Sequence, residues 1–173
     1  MKKKLILTGM MGVGKSTIGK KLAKKLKFKF VDIDEIIEKQ EKKTIKEIFK
    51  IKGENYFRKI EEKTTLKELK KINLVIALGG GAFINETIRK EVKESSLSFW
   101  LDIDVDLLIP RLKNISKRPL LNQENIEQSI KKIYSQRKKI YNESDHKINC
   151  SSLKIEAIVN QIINLYEDSR NQI

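Results

Sequence analysis

Cysteine, histidine, proline and tryptophan are nearly missing from this chain of 173 residues, which has one Cys, one His, two Pro and one Trp. A single cysteine, Cys150, excludes an intrachain disulfide and fits a reducing compartment. His146 is the lone histidine, and with one cysteine it cannot build a zinc cluster. No apolar stretch reaches the roughly 18–20 residues needed to span a membrane. The opening "MKKKLILTGMMG" has the basic start and apolar run of a secretory leader. That run is broken by Gly9 and Gly12 and stopped by Lys15, and no small-residue cleavage site follows, so it reads as a strand.

Acidic residues are also in short supply: 23 Asp and Glu stand against 37 Lys and Arg, for a formal charge of +14. A nucleic-acid binder would gather the excess on one face with aromatic platforms between. Here lysine is scattered through almost every segment beside Glu or Ile, as in "IEEKTTLKELKK", the pattern of solvated helix faces. The excess would help collect anionic small molecules.

Apolar residues, 39% of the chain, suffice for a globular core. The length suggests one domain, with no repeat or long linker. Compact apolar runs at 4–9, 28–34, 73–78 and 96–104 and the short "HKINC" read as five strands. Helical spacing fills the gaps: "KSTIGKKLAKKLK", a long region over 34–71 broken near Gly53, "VDLLIPRL" with Pro110 in or near its first turns, "IEQSIKKIYSQRKKIY", and "KIEAIVNQIINLY". "KNISKRPLLNQEN" reads as a polar loop. This alternation predicts an α/β fold, a parallel sheet covered by helices on both faces. Ligands of such sheets bind beyond the carboxyl ends of the strands. Gly9, Asp32, Asp34, Gly79, Gly80, Gly81, Asp102 and Asp104 all fall there.

"GMMGVGKST" fits the phosphate-loop pattern G-x-x-x-x-G-K-[ST] and sits between a strand and a helix, as its mechanism requires. Gly12 and Gly14 let the backbone curl so that N–H groups face phosphates, and the helix dipole adds to them. Lys15 can reach the β- and γ-phosphates, and Ser16 can ligate Mg²⁺. Met10, Met11 and Val13 read as spacers. Mg²⁺ also calls for an acid, and Asp32-Ile33-Asp34 competes with Asp102-Ile103-Asp104. Asp104 suits a helix cap. Asp34 could cap a helix too, but Asp32 remains an acid at a strand end, and residues two apart on a strand share a face.

In "GENYFRKIE", Arg58 and Glu61 stand one helical turn apart. They are either a surface ion pair or a guanidinium held to bind a carboxylate. The triplet in "LGGGAF" is either a hinge or a place where backbone approaches a ligand.

Together, "GMMGVGKST", "FVDIDEIIE", "GENYFRKIE", "LGGGAF", "RLKNISKRPLL" and "YSQRKKIY" resemble the shikimate kinase family in order and spacing over almost the whole chain. The resemblance implies a three-layer α-β-α sandwich of the nucleoside monophosphate kinase type with a five-stranded parallel sheet. It implies one kinase domain over 1–173, with an acceptor-binding helical region at about 33–62 and a lid at about 113–125. The implied reaction moves the γ-phosphate of ATP to the 3-hydroxyl of shikimate in aromatic amino-acid biosynthesis.

By the same resemblance, Gly12, Val13, Gly14, Lys15, Ser16, Thr17, Arg111 and Arg118 bind ATP, with Arg111 against adenine and Arg118 on the lid. Asp34 holds shikimate hydroxyls and accepts the proton. Arg58 and Arg137 take the carboxylate, the Gly80 N–H contacts shikimate, and Glu61 orients Arg58 and Arg137. Ser16 and Asp32 serve Mg²⁺, and Lys15, Asp34 and Arg118 are the catalytic set. The loop "NCSSLK" meets adenine. Leu78 stands where many relatives have Thr, removing one hydroxyl contact. A cytoplasmic monomer is expected, with ATP and shikimate as partners and neither nucleic acid nor membrane. The rival on the same scaffold is a gluconate or nucleoside monophosphate kinase.

Overall fold

The structure is a computed structural model that describes residues 4–113 and 125–171. Five parallel strands, β1 (Lys4–Thr8), β2 (Lys29–Asp32), β3 (Leu74–Ala77), β4 (Leu97–Asp102) and β5 (His146–Asn149), lie in the order β2-β3-β1-β4-β5. The helices are α1 (Lys15–Leu26), α2 (Ile33–Glu41), α3 (Ile45–Leu69), α4 (Glu86–Ser95), α5 (Val105–Lys113), α6 (Ile126–Tyr141) and α7 (Ile155–Asn171). The expected α/β sheet is therefore present. β1 and β3 are buried along their whole length, whereas the edge strands β2 and β5 are partly exposed. This is why β3 is continuously apolar and the edge strands carry exposed lysine.

Strand order decides which face each helix covers. The β1-to-β2 connection runs toward one edge, and the later connections run toward the other. Right-handed crossovers then put α1 on one face and α3 and α4 on the opposite face. Packing agrees: α1 meets α7, and α3 meets α4. The two directions of winding diverge between β1 and β3, which opens a crevice at their carboxyl ends. Leu7 pairs with Ala77 there, and the Leu78 N–H donates to the Leu7 carbonyl at 3.0 Å.

Several boundaries differ from the sequence reading. The second strand ends at Asp32 rather than at residue 34. The Asp32 carboxylate caps α2 by accepting from the Asp34 N–H at 3.0 Å and the Glu35 N–H at 3.4 Å. Asp34 thus lies in the first turn of a helix and is not the cap. The long helical region breaks twice. Lys42 closes α2 in the left-handed region at φ 51°, and a Thr44–Glu47 capping box starts α3. Gly53 then kinks α3 at φ 80°, ψ 167°, as expected from its position. Pro110 falls at the sixth residue of α5, in its second turn, as expected.

The core is built on Leu5, Ile6, Leu7, Phe83, Phe99, Trp100 and Tyr141, all essentially inaccessible. Among the described residues, no helix is long and apolar enough to cross a membrane.

Cys150, just past β5, is buried. Burial and then Asp102 push its thiol up to about 12, against a smaller pull from Arg111. The native state therefore keeps its proton where an unfolded chain, ionising near 9, has lost it. Stability should fall as pH rises through that window. At pH 8 the native thiol should react with an aromatic disulfide at least about 100-fold more slowly than in the urea-unfolded chain. Equal rates would show that Cys150 is accessible.

Candidate active site

The loop between β1 and α1 takes the shape its glycines allow. Gly12 and Gly14 have φ of 80° and 100°, a region closed to most side chains. Gly14 is the N-cap of α1, so the free N–H groups of the first helical turn face outward from the loop. Lys15 folds back over this loop, its ammonium donating to the Gly9 and Met10 carbonyls, both at 2.9 Å. The loop opens on a cavity of about 540 Å³ lined by Gly12, Gly14, Lys15, Ser16, Thr17, Asp32 and Asp34 among others. Val13, by contrast, is buried with its side chain in the core.

Of the two competing Asp pairs, the first lines this cavity. The Ser16 hydroxyl donates to the second oxygen of Asp32 at 2.5 Å. Asp102 is occupied elsewhere: it accepts from the Tyr134 hydroxyl at 3.0 Å and pairs with Lys147 at 2.9 Å. Burial, and then that hydrogen bond, push the Tyr134 phenol up to about 12. Asp104 caps α5, accepting from the Asp106 N–H at 2.9 Å.

A second, smaller cavity of about 50 Å³ adjoins the first and is lined by Asp34, Phe49, Phe57, Arg58, Glu61, Arg137 and the glycine triplet. Met11, Asp34 and Gly80 line both cavities. Arg58 is half-buried. Its guanidinium reaches Glu61 at 2.7 Å and Glu54 at 3.1 Å, and it lies 5.2 Å from the Phe57 ring centroid. Burial works against its charge, but Glu61 and Glu54 outweigh that and hold Arg58 above its usual range. Glu61 is 2% exposed. Burial pushes its carboxyl up; Arg58 pulls the other way, and Asp34 adds to the push.

Space is the reason for the glycine triplet. A Cβ on Gly79 would stand 2.6 Å from Glu61 Oε1 and 2.7 Å from Asp34 Oδ1. A Cβ on Gly81 would stand 2.6 Å from the Arg58 guanidinium. The hinge reading therefore gives way to close approach, although what approaches is charged side chains of this same chain. Arg137 comes across from α6 and donates to the Gly80 carbonyl at 2.9 Å.

The fold thus brings together Lys15, Ser16, Asp32, Asp34, Arg58, Gly80 and Arg137. Arg111 is exposed on α5 near Cys150 and lines neither cavity. Arg118 and the expected lid at about 113–125 fall on 114–124, outside the described residues. Sequence reasoning missed three contributors. Met11, taken as a spacer, walls both cavities. Phe49 packs on Phe57 with centroids 4.8 Å apart. Tyr141 donates its hydroxyl to the Gly80 carbonyl. The one local signal for Tyr141 is its place one helical turn after Arg137.

Residues 11–167 match the family model described as shikimate kinase. The shikimate kinase of Bartonella quintana (strain Toulouse) is 41% identical over 172 residues, covering 99% of this chain and 75% of that one. The solved structure of a shikimate kinase from Acinetobacter baumannii in complex with shikimate superposes with a TM-score of 0.92 at 30% identity, over 96% of this chain and 94% of that one. A gluconokinase from Sinorhizobium meliloti 1021 shares the fold at a TM-score of 0.63 and 14% identity, over 99% of this chain and 97% of that one. With a family match spanning most of its length and relatives this similar, the chain belongs to the shikimate kinase family, the ATP-dependent phosphotransferases that act on a hydroxyl group.

Proposed function

We propose that this protein transfers the γ-phosphoryl group of ATP to the 3-hydroxyl of shikimate, giving shikimate 3-phosphate and ADP, as a step toward aromatic amino acids. The observation that carries the reading is Asp34 at the junction of a phosphate-loop cavity and a smaller cavity flanked by two guanidinium groups. Such a junction brings a donor phosphate and an acceptor hydroxyl together, and alignment of that kind is most of what phosphoryl transfer requires.

In this reading the loop N–H groups around Gly12, Gly14, Ser16 and Thr17 hold the phosphates, and Lys15 exchanges the Gly9 and Met10 carbonyls for β- and γ-phosphate oxygens. Arg118 reaches the same phosphates from the lid, and Arg111 with the loop after β5 holds the adenine. Arg58 and Arg137 bind the acceptor carboxylate, which suits planar forks held in place by Glu54, Glu61 and the Gly80 carbonyl. The Gly80 N–H supports the acceptor. Asp34 orients the hydroxyl toward the phosphorus and takes its proton as the new O–P bond forms. Early deprotonation is unnecessary in a loose transition state.

Mg²⁺ fits the donor set. Ser16 and Asp32 offer a hydroxyl and a carboxylate within 2.5 Å of each other on the cavity wall, and Mg²⁺ prefers few protein oxygens together with phosphates and water. When bound there, it neutralises charge on the phosphate oxygens. The single buried thiol is in keeping with the cytoplasm.

ADP release should depend on shikimate and stop with excess EDTA. Turnover of gluconate or a nucleoside monophosphate, with none of shikimate, would overturn the reading. Arg58→Ala should raise the KM for shikimate about 30-fold or more, near 2 kcal/mol, while the KM for ATP moves less than about twofold. An unchanged shikimate KM would remove Arg58 from the acceptor site. Gly79→Ala drives a methyl group between two carboxylates and should lower kcat/KM for shikimate at least about 100-fold, with ATP affinity kept. Near-normal kcat/KM would show that the carboxylates can separate at no catalytic cost.

A further inference from the structure

Three consecutive glycines have the freest backbone of any tripeptide, yet this triplet walls the smaller cavity, and Gly80 walls the larger one as well. All three of its carbonyls are held. Gly79 O accepts from the Ala82 N–H at 3.0 Å and Gly81 O from the Ile84 N–H at 3.1 Å, within one short 3-10 turn. The Gly80 carbonyl has no such local partner in that turn. It is held from α6, by Arg137 Nη1 at 2.9 Å and by the Tyr141 hydroxyl.

A carbonyl oxygen has two lone pairs, and these two donors use both. They are not equivalent. Arg137 is half-buried on the cavity wall, and its fork is the group assigned above to the acceptor carboxylate. Turning toward that carboxylate weakens its hold on Gly80. Tyr141 cannot turn in this way. It is completely buried, with its ring 6.0 Å from the Trp100 ring and its hydroxyl 4.0 Å from Met10 Sδ. Burial also pushes its phenol up, against the pull of Arg137, so it remains a protonated donor. A buried phenol without a partner is costly, and the Gly80 carbonyl is the oxygen it reaches.

We propose that Tyr141 is a positioning residue for the acceptor: its hydroxyl fixes the Gly80 carbonyl, and so the backbone wall that Gly80 presents to the substrate, while Arg137 engages the carboxylate. The inference rests on the assignment of the smaller cavity to the acceptor. Tyr141→Phe keeps the ring and its packing and removes only the donor. The KM for shikimate should rise threefold to tenfold, with the KM for ATP within about twofold and the melting temperature lowered by less than about 5 °C. In substrate-free protein, amide exchange at Ala82 and Ile84, which donate to the Gly79 and Gly81 carbonyls, should quicken at least about threefold while the loop over 9–15 is unchanged.

An unchanged shikimate KM with unchanged exchange would overturn the proposal. So would an equal rise in both KM values together with a large fall in melting temperature, which is the signature of general packing. Wild-type protein that turns over no shikimate would sink the substrate assignment instead, and the exchange measurement would still decide the anchor.

Discussion

The site depends on one constraint, the parallel pairing of β1 with β3 at the place where the chain reverses its direction of winding. Leu7 pairs with Ala77, so Gly9 and Gly79 leave the sheet side by side. Their following helices cover opposite faces, and the two loops must part. The space between them is where the cavities form. A Cβ on Gly80 would come within 3.3 Å of the Met11 amide, which shows how closely the two loops run before they diverge. The side chains that line the cavities are then placed relative to these two loops: Asp32 from the end of β2, Asp34 from the first turn of α2, Arg58 and Glu61 from α3, and Arg137 from α6.

Electrostatics within this space follow from burial. Glu61 is nearly inaccessible and faces Asp34 across Gly79, so its carboxyl is pushed up while Arg58 pulls it down. The chain tolerates two neighbouring carboxylates because two guanidinium groups stand beside them. Replacing a member of this cluster by a neutral residue leaves a charge poorly compensated in a dry place, which is why such changes are costly. The cluster also aims Arg58 without any substrate contact, since Glu54 and Glu61 hold its fork at both sides. A pre-aimed fork loses little freedom when it meets a carboxylate.

Helix α6 has a wider role than its single expected arginine suggested. Tyr134, Arg137 and Tyr141 recur at helical spacing and reach two different strand ends, Asp102 after β4 and Gly80 after β3. The helix therefore braces both sides of the phosphate-loop strand β1. Asp102, one of two candidate metal ligands on sequence, proves to be the anchor for this brace.

Much of the chemistry was legible in the sequence because it is local. The spacing of Gly9, Gly14, Lys15 and Ser16 belongs to one loop and one helix start, and its geometry needs no distant partner. The strand alternation set the fold class in the same way. Asp32 was correctly placed at a strand end, but Asp34 was not, because the strand stops at Asp32, where two hydrogen bonds to its carboxylate start α2. Arg58 remained open between a surface pair and a guanidinium held to bind a carboxylate, because helical spacing places Glu61 beside it in either case. Its close approach to Gly81 and its place on the wall of the smaller cavity are set by tertiary structure. Met11 carried no readable signal, and Tyr141 only its place one helical turn after Arg137. Their contacts join residues far apart in the chain (Tyr141 lies 61 positions from Gly80), and only the strand order brings those together. Local hydrogen bonding and periodicity determined the phosphate loop and the fold class from sequence alone; sheet topology, which is non-local, decided which side chains line the smaller cavity.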